Sequence, residues 1–244
     1  RVIAVCPEDE YSGPLSQLGC QVLTVDIDQG GTNPIKDLIS TYKLFGIYRK
    51  HRPDIVLNFT PKNNIYGTIA ASVLKIPCVN NIAGLGLVFT KTGPTATIVK
   101  LLYKLSQPKA RHIFFQNEDD REIFLANGIV DKHMTSRIPG SGVDLARFAA
   151  VGPKHRDKTT FILVARLLKE KGIIEYIKAA NKLADSRNDV EFLLLGQLDS
   201  NNPSAISSDE LAYHNSNNTV RYLGTSNEVE KIIRDVDCVV LPSY

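Results

Sequence analysis

The sequence predicts an α/β protein of two Rossmann-like domains, each a doubly wound parallel sheet, and three observations lead there. Short apolar runs alternate with helix-period patterns along almost the whole chain, the order that builds βαβ units. The alternation runs through two successive series. Finally, 244 residues with 43% hydrophobic content suffice for two packed cores of ordinary size or one large one.

In the first series, residues 2–5 and 21–25 read as strands. Residues 34–51 read as a helix with Ile35, Leu38, Ile39, Tyr42 and Phe45 on one apolar face. A strand over 54–58, a helix over 64–74, a strand over 78–82, a helix over 95–105 and a strand over 112–115 follow. Asn117 is placed to cap the next helix, and Asn127-Gly128 to end it, because Asn caps helix starts and Gly tolerates the left-handed turn at their ends.

The second series is expected after Gly128. It has strands over 134–138, 161–165, 191–195, 220–223 and 238–241, with helices over 172–185 and 227–234. A polar connector spans 149–158, and an Asn- and Ser-rich loop spans 199–218, with one helical turn expected over 209–214. The boundary falls near Met134, giving an N-terminal domain over 1–134 and a C-terminal domain over 135–244. In open parallel sheets ligands sit beyond the carboxyl ends of the strands, so two such domains would share a cleft.

Several function classes are excluded early. A formal net charge of +3 is too small to indicate nucleic acid. Cys6, Cys20, Cys78 and Cys238 are scattered without a C-x-x-C pair, so reduced thiols fit better than zinc or a disulfide framework. His51, His112, His133, His155 and His214 show no ligand spacing. No apolar run is long enough to span a bilayer. The chain begins at Arg1 in a strand-like run and ends on Val239-Val-Leu-Pro-Ser-Tyr244, another strand leading into a loop. It therefore reads as a piece missing material at both ends.

The segment Phe161-Ile-Leu-Val-Ala-Arg166-Leu-Leu-Lys-Glu-Lys171-Gly172 carries the most chemistry. An Arg closes a buried strand, and a Lys and a Gly stand where an amphipathic helix begins. Two cations and the positive end of a helix dipole would converge on one crevice, which is what a diphosphate requires. The same residues also read as ordinary surface charges beside Glu170. Two glycine pairs, Gly84-Leu-Gly86 and Gly140-Ser-Gly142, lack the third glycine of a dinucleotide fingerprint. They read either as turns needing positive φ or as places where backbone approaches a ligand. Between Asp54 and Glu118 there is no acidic residue, while Lys62, Lys75, Lys91, Lys100, Lys104, Lys109 and Arg111 all fall there. Such a face would attract anionic lipid headgroups or a phosphate-bearing acceptor; a solvated basic face is the plain alternative.

Together these motifs resemble the family-4 retaining glycosyltransferases of the two-Rossmann GT-B fold. The resemblance rests on Arg166-x4-Lys171-Gly172, Gly140-Ser-Gly-Val-Asp144 with Phe148, Val220-Arg-Tyr-Leu-Gly224 and the terminal Val-Val-Leu-Pro-Ser-Tyr244. Pro7-Glu-Asp-Glu-Tyr-Ser12, Gly31-Thr-Asn-Pro34, Phe59-Thr-Pro-Lys-Asn-Asn-Ile-Tyr-Gly67 and Gly84-Leu-Gly86 are similar to one branch. That branch extends undecaprenyl-diphosphate-linked sugars in bacterial polysaccharide and glycoprotein glycan assembly.

The resemblance implies a retaining, metal-independent hexosyltransferase that needs no cofactor. It would move an N-acetylhexosamine or hexose from a UDP-sugar to a polyprenyl-diphosphate-linked saccharide. Arg166 and Lys171 would hold the donor diphosphate, with Gly172, Gly196, Tyr222, Leu223 and Gly224 around the nucleotide. Thr60, Lys62, Asn64, Gly84 and Gly86 would face the cleft from the acceptor side. The enzyme would work in the cytoplasm, peripheral at the inner face of the membrane and bound through the basic N-terminal face. A His that many relatives carry near Gly84 is absent here. The family's E-x7-E segment and its first strand are expected beyond the two ends, so this piece alone is expected to be inactive. A sugar-nucleotide 2-epimerase on the same fold, a non-catalytic nucleotide-sugar-binding subunit and a nicotinamide-dependent dehydrogenase are the rivals.

Overall fold

The computed structural model describes residues 1–9, 12–25, 33–85, 89, 93–152, 157–198, 202 and 204–244. Gly86, Glu10-Tyr11 and Gly31-Thr32 lie outside these residues, as do parts of the 149–158 connector and the 199–218 loop. The chain divides into two units, Arg1–Gly142 and Val143–Tyr244.

In the first unit the order is β1 (Ile3–Cys6), α1 (Ser12–Gln17), β2 (Gln21–Thr24), α2 (Pro34–His51), β3 (Val56–Asn58), a π-helical turn (Asn63–Gly67) and α3 (Thr68–Val73). Then come β4 (Cys78–Ile82), α4 (Pro94–Ser106), β5 (His112–Phe115), α5 (Glu118–Ala126) and β6 (Thr135–Arg137). β1 and β2 form a parallel pair, and a second, wholly parallel sheet runs β3-β4-β5-β6. The strand β6, expected in the second series, pairs with β5 from Ile113↔Thr135 to Phe115↔Arg137. The first unit therefore extends past Met134 to Gly142. The Asn117 cap forms as expected, its Oδ1 accepting from Asp120 N at 2.7 Å, and Gly128 takes φ +59° at the far end.

α2 keeps its expected bounds but not its expected face. Of the expected face Ile35, Leu38, Ile39 and Tyr42 are exposed and only Phe45 packs against the core, whereas Asp37, Ser40, Leu44 and Tyr48 are buried. The helix turns this way because the Asp37 carboxylate is claimed from inside the unit by Lys62 and Tyr66. Leu44 and Tyr48 follow Asp37 at helical spacing and so join the core. The remaining core centres on Phe115 and Phe124, whose rings lie 5.1 Å apart, with Tyr103 5.2 Å from Phe124.

The second unit contains β7 (Thr159–Val164), α6 (Ile173–Ala184), β8 (Val190–Leu195), α7 (Ser208–His214), β9 (Val220–Tyr222), α8 (Val229–Arg234) and β10 (Cys238–Val239). Its sheet has the order β10-β7-β8-β9 and is parallel throughout. α6 buries Ile173, Tyr176, Ile177 and Ala180, the i, i+3, i+4, i+7 stripe of an amphipathic helix. That stripe packs on Leu163, Phe192 and Leu194 of the sheet. Both central strands are buried on two faces, which explains why they are continuously apolar.

Candidate active site

Parallel strands end together, so each sheet offers one carboxyl edge where loops gather. In the second unit that edge collects every residue expected at the donor. Arg166 follows β7 and is exposed; Lys171 is half-buried in a short 3-10 turn, Lys169–Lys171, that leads into α6. Lys171 N donates to Leu168 O (3.0 Å) and Gly172 N to Lys169 O (3.0 Å), which fixes the turn. Gly172 takes φ +68° and precedes the first residue of α6, where no side chain caps the helix. The positive end of a 12-residue helix is thus left to the backbone.

Two glycines let the edge close up. A Cβ on Gly172 would stand 2.2 Å from Pro242 O, and one on Gly196 would stand 1.6 Å from Ala165 O. No side chain fits either gap, so these positions hold β7, β8 and the segment after β10 together by backbone contact. Gly196 N donates to Gly224 O (2.8 Å), and Tyr222 Oη donates to Gly196 O (2.7 Å). Leu223 N donates to Leu194 O (2.8 Å). Tyr222 is thereby committed to the frame by its hydroxyl, and burial raises its pKa.

The motif around Asp144 has a local explanation. Gly140 and Gly142 both take φ +79°, with open space around them, so backbone conformation alone calls for glycine. Asp144 Oδ1 accepts from Ala146 N (2.9 Å) and Arg147 N (3.1 Å), an Asx turn. Arg147 then reaches α8 and its approach, donating to Asn227 O and Glu230 Oε2, each at 2.9 Å.

The first unit builds its carboxyl edge from side chains. Lys62 Nζ lies 2.7 Å from Asp37 Oδ1, and Tyr66 Oη donates to Asp37 Oδ2 at 2.8 Å. Below them runs a ladder of buried amides. Asn58 Nδ2 donates to Asn80 Oδ1 (2.9 Å), and Asn80 Nδ2 donates to Gln107 Oε1 (2.7 Å) and Thr68 Oγ1 (2.9 Å). The carbonyl of Asn64, in the π turn, accepts from Thr68 Oγ1 (2.8 Å), Asn80 Nδ2 (3.3 Å) and Gln107 Nε2 (2.7 Å). A widened turn disrupts the i→i−4 bonds of the helix, and these side chains supply the missing donors. Gly67 is required here too, because a Cβ would lie 2.5 Å from Asn58 Oδ1.

Of the residues expected on the acceptor side, Thr60, Lys62 and Asn64 lie together in the loop after β3. Thr60 is exposed, and its carbonyl accepts from Asn64 N (2.8 Å). Asn64 is buried: its Nδ2 donates to Asn81 O (3.0 Å), and its Oδ1, like that of Asn81, has no donor. Gly84 has open space around its α-carbon, so the fold does not demand glycine there. Asp37, Asn58, Asn80 and Gln107 escape a sequence reading. Asn58 and Asn80 carry one signal, a polar residue inside an apolar strand, as in Leu57-Asn58 and Val79-Asn80; Asp37 and Gln107, in helical segments, carry none.

Known proteins give this geometry its context. The family described as Glycosyl transferase 4-like matches residues 1–117, and that described as Glycosyl transferases group 1 matches residues 146–244. The N,N'-diacetylbacillosaminyl-diphospho-undecaprenol alpha-1,3-N-acetylgalactosaminyltransferase of Campylobacter jejuni is 30% identical over 100% of this chain and 67% of its own length. The UDP-Gal:alpha-D-GlcNAc-diphosphoundecaprenol alpha-1,3-galactosyltransferase of Escherichia coli is 27% identical over 86% of this chain and 57% of its own length. The chain thus spans between about half and two thirds of these relatives. Among solved structures, Anabaena Alr3699/HepE in complex with UDP-glucose matches 100% of this chain and 66% of its own, with TM-score 0.76 and 17% identity. That likeness shows the fold class, GT-B, with parallel α/β sheets in each unit.

Proposed function

Since the chain belongs to the family-4, group 1 glycosyltransferases, we propose that the full-length protein transfers an N-acetylhexosamine or hexose from a UDP-sugar to a polyprenyl-diphosphate-linked saccharide. The observation that carries this is the carboxyl edge of the sheet in the second unit. Arg166, Lys171 and the uncapped start of α6 follow one strand within eight residues, as a diphosphate site requires. The two relatives named above act on diphosphoundecaprenol-linked sugars, which points to the acceptor class.

Cleavage of the sugar–phosphate bond leaves negative charge on the nucleoside diphosphate. Arg166 grips it through a planar fork, Lys171 adds a point charge, and the amides at the start of α6 face it without rearranging. Cations fixed in advance lower the barrier because no reorganisation is needed when the charge develops. The reaction is retaining and independent of metal and cofactor. Thr60, Lys62, Asn64 and Gly84, with Gly86, present the acceptor.

The protein works at the inner face of the membrane. α4 favours this: Ile98, Leu101 and Leu105 are exposed on it beside Lys104, and Lys100 Nζ lies 5.6 Å from the Phe89 ring. Exposed apolar residues among lysines suit an anionic lipid surface. Among the described residues, no helix is long and apolar enough to cross a membrane.

The test is a transfer assay of the full-length protein with a panel of UDP-sugars and undecaprenyl-diphosphate-linked saccharide. UDP release is expected only when both substrates are present, and it should persist in EDTA. Conversion of the UDP-sugar without acceptor would replace this reading by an epimerase.

A further inference from the structure

Lys62 and Asp37 form a largely buried ion pair, with side-chain exposures of 15% for Lys62 and 12% for Asp37, and Tyr66 donates to the same carboxylate. The cluster joins three pieces of chain: the first turn of α2, the loop after β3 and the π turn. Taking a carboxylate and an ammonium out of water is costly, and a well-packed apolar pair of similar volume often stabilises as much. The fold therefore gains little from this cluster as a source of stability. Its cost is better explained by what it fixes.

What it fixes is the loop 60–64 at the carboxyl edge of the sheet, where ligands of parallel α/β sheets lie. The loop is held from beneath by the amide ladder on the Asn64 carbonyl. From the side it is held by Asp37, which takes the Lys62 ammonium on one carboxylate oxygen and the Tyr66 hydroxyl on the other. Burial and the neighbouring carboxylate raise the Tyr66 pKa, so its proton stays in place for this bond. Two residues beyond Lys62, the Asn64 Oδ1 is buried without a donor. A buried acceptor without a donor has room for a bond from a water or a ligand.

We propose that Asp37 is a positioning residue for the sugar acceptor: through Lys62 and Tyr66 it sets the shape of the loop 60–64 that receives the phosphate-linked saccharide. The inference rests on the glycosyltransferase reading above and adds the residue that governs one substrate and not the other. Asp37 itself faces inward and touches neither sugar.

The experiment measures initial rates of the full-length protein against each substrate in turn, for wild type, Asp37→Asn and Tyr66→Phe. Asp37→Asn should raise KM for the lipid-linked saccharide by about tenfold and leave KM for the UDP-sugar within about twofold. Tyr66→Phe, which leaves the ion pair whole, should raise acceptor KM by about threefold. It keeps the test open if Asp37→Asn does not fold. In Asp37→Asn/Tyr66→Phe the acceptor KM should be no worse than in Asp37→Asn, because Tyr66 acts through its bond to Asp37. If both KM values and the melting temperature shift together, or if acceptor KM does not move, the positioning role is overturned. A wild-type protein that transfers nothing would instead overturn the glycosyltransferase reading, and this inference with it.

Discussion

Nine of the ten buried polar residues among those described lie in the first unit: Asp37, Ser40, Asn58, Asn64, Thr68, Asn80, Ser106, Gln107 and Thr135. The second unit holds Thr160 alone. The two carboxyl edges are accordingly built by different means. The first is tied by interlocking amides and one buried ion pair. The second is tied by backbone bonds and by two glycines that let chain segments touch, while Arg166 stays exposed and Lys171 half-buried. Where the frame is backbone, side chains that meet the ligand can change without disturbing the fold. Where side chains are both frame and surface, a change in one disturbs the other.

The sharpest test of that difference is Lys171→Ala in the full-length protein. Removing one preorganised donor from a site of this kind costs roughly 10²–10³ in rate. Transfer should fall by that factor while the melting temperature holds, since Lys171 owes its place to the backbone bonds from Lys171 N and Gly172 N. Comparing kcat with a thermal melt reads both quantities. Unchanged turnover would remove Lys171 from the site. A fall in melting temperature matching the loss of rate would show that the second edge is no more separable than the first.

Asn80→Ala probes the other side. Asn80 is fully buried and bonds to Asn58, Thr68, Gln107 and the Asn64 carbonyl, so its loss strands several partners at once. About 3 kcal/mol of stability should go, the cost of leaving buried polar groups unpaired. Because the Asn64 carbonyl belongs to the loop above, acceptor KM should rise in the same variant. Urea titration together with acceptor saturation curves measures the pair of effects. Lost stability with intact acceptor KM would mean that the ladder serves the fold alone.

The two edges also differed in how far the sequence disclosed them. Arg166, Lys171 and Gly172 stand within seven residues between an apolar run and a helical stripe, so their convergence is a local fact. The amide ladder draws on Asn58, Asn64, Thr68, Asn80 and Gln107, from three strands' worth of chain, and no short-range pattern links them. The π turn hides for a related reason: five residues, Asn63–Gly67, are too few to set a period of their own. β6 pairs in the first unit rather than in the expected second because the polar tripeptide Thr135-Ser136-Arg137 carries no pattern that names its partner. The parallel α/β class itself was plain, since it rests on repetition over the whole chain.

α2 is where hydrophobic period and packing disagree, and it yields the smallest expected effect. The period selects Ile35, Leu38, Ile39, Tyr42 and Phe45 as the inner face, yet only Phe45 packs on the core, and Leu38 is 71% exposed and Tyr42 76%. If Asp37 sets the rotation of the helix through Lys62 and Tyr66, those apolar side chains contribute little to the core. Leu38→Ser should then change stability by no more than about 0.5 kcal/mol, as for other surface substitutions. A urea titration of the full-length protein checks it. Loss of several times that amount would mean that something packs on the outer face of α2 in the whole protein. The burial of Asp37 would then have to be explained as one side of a helix enclosed on both.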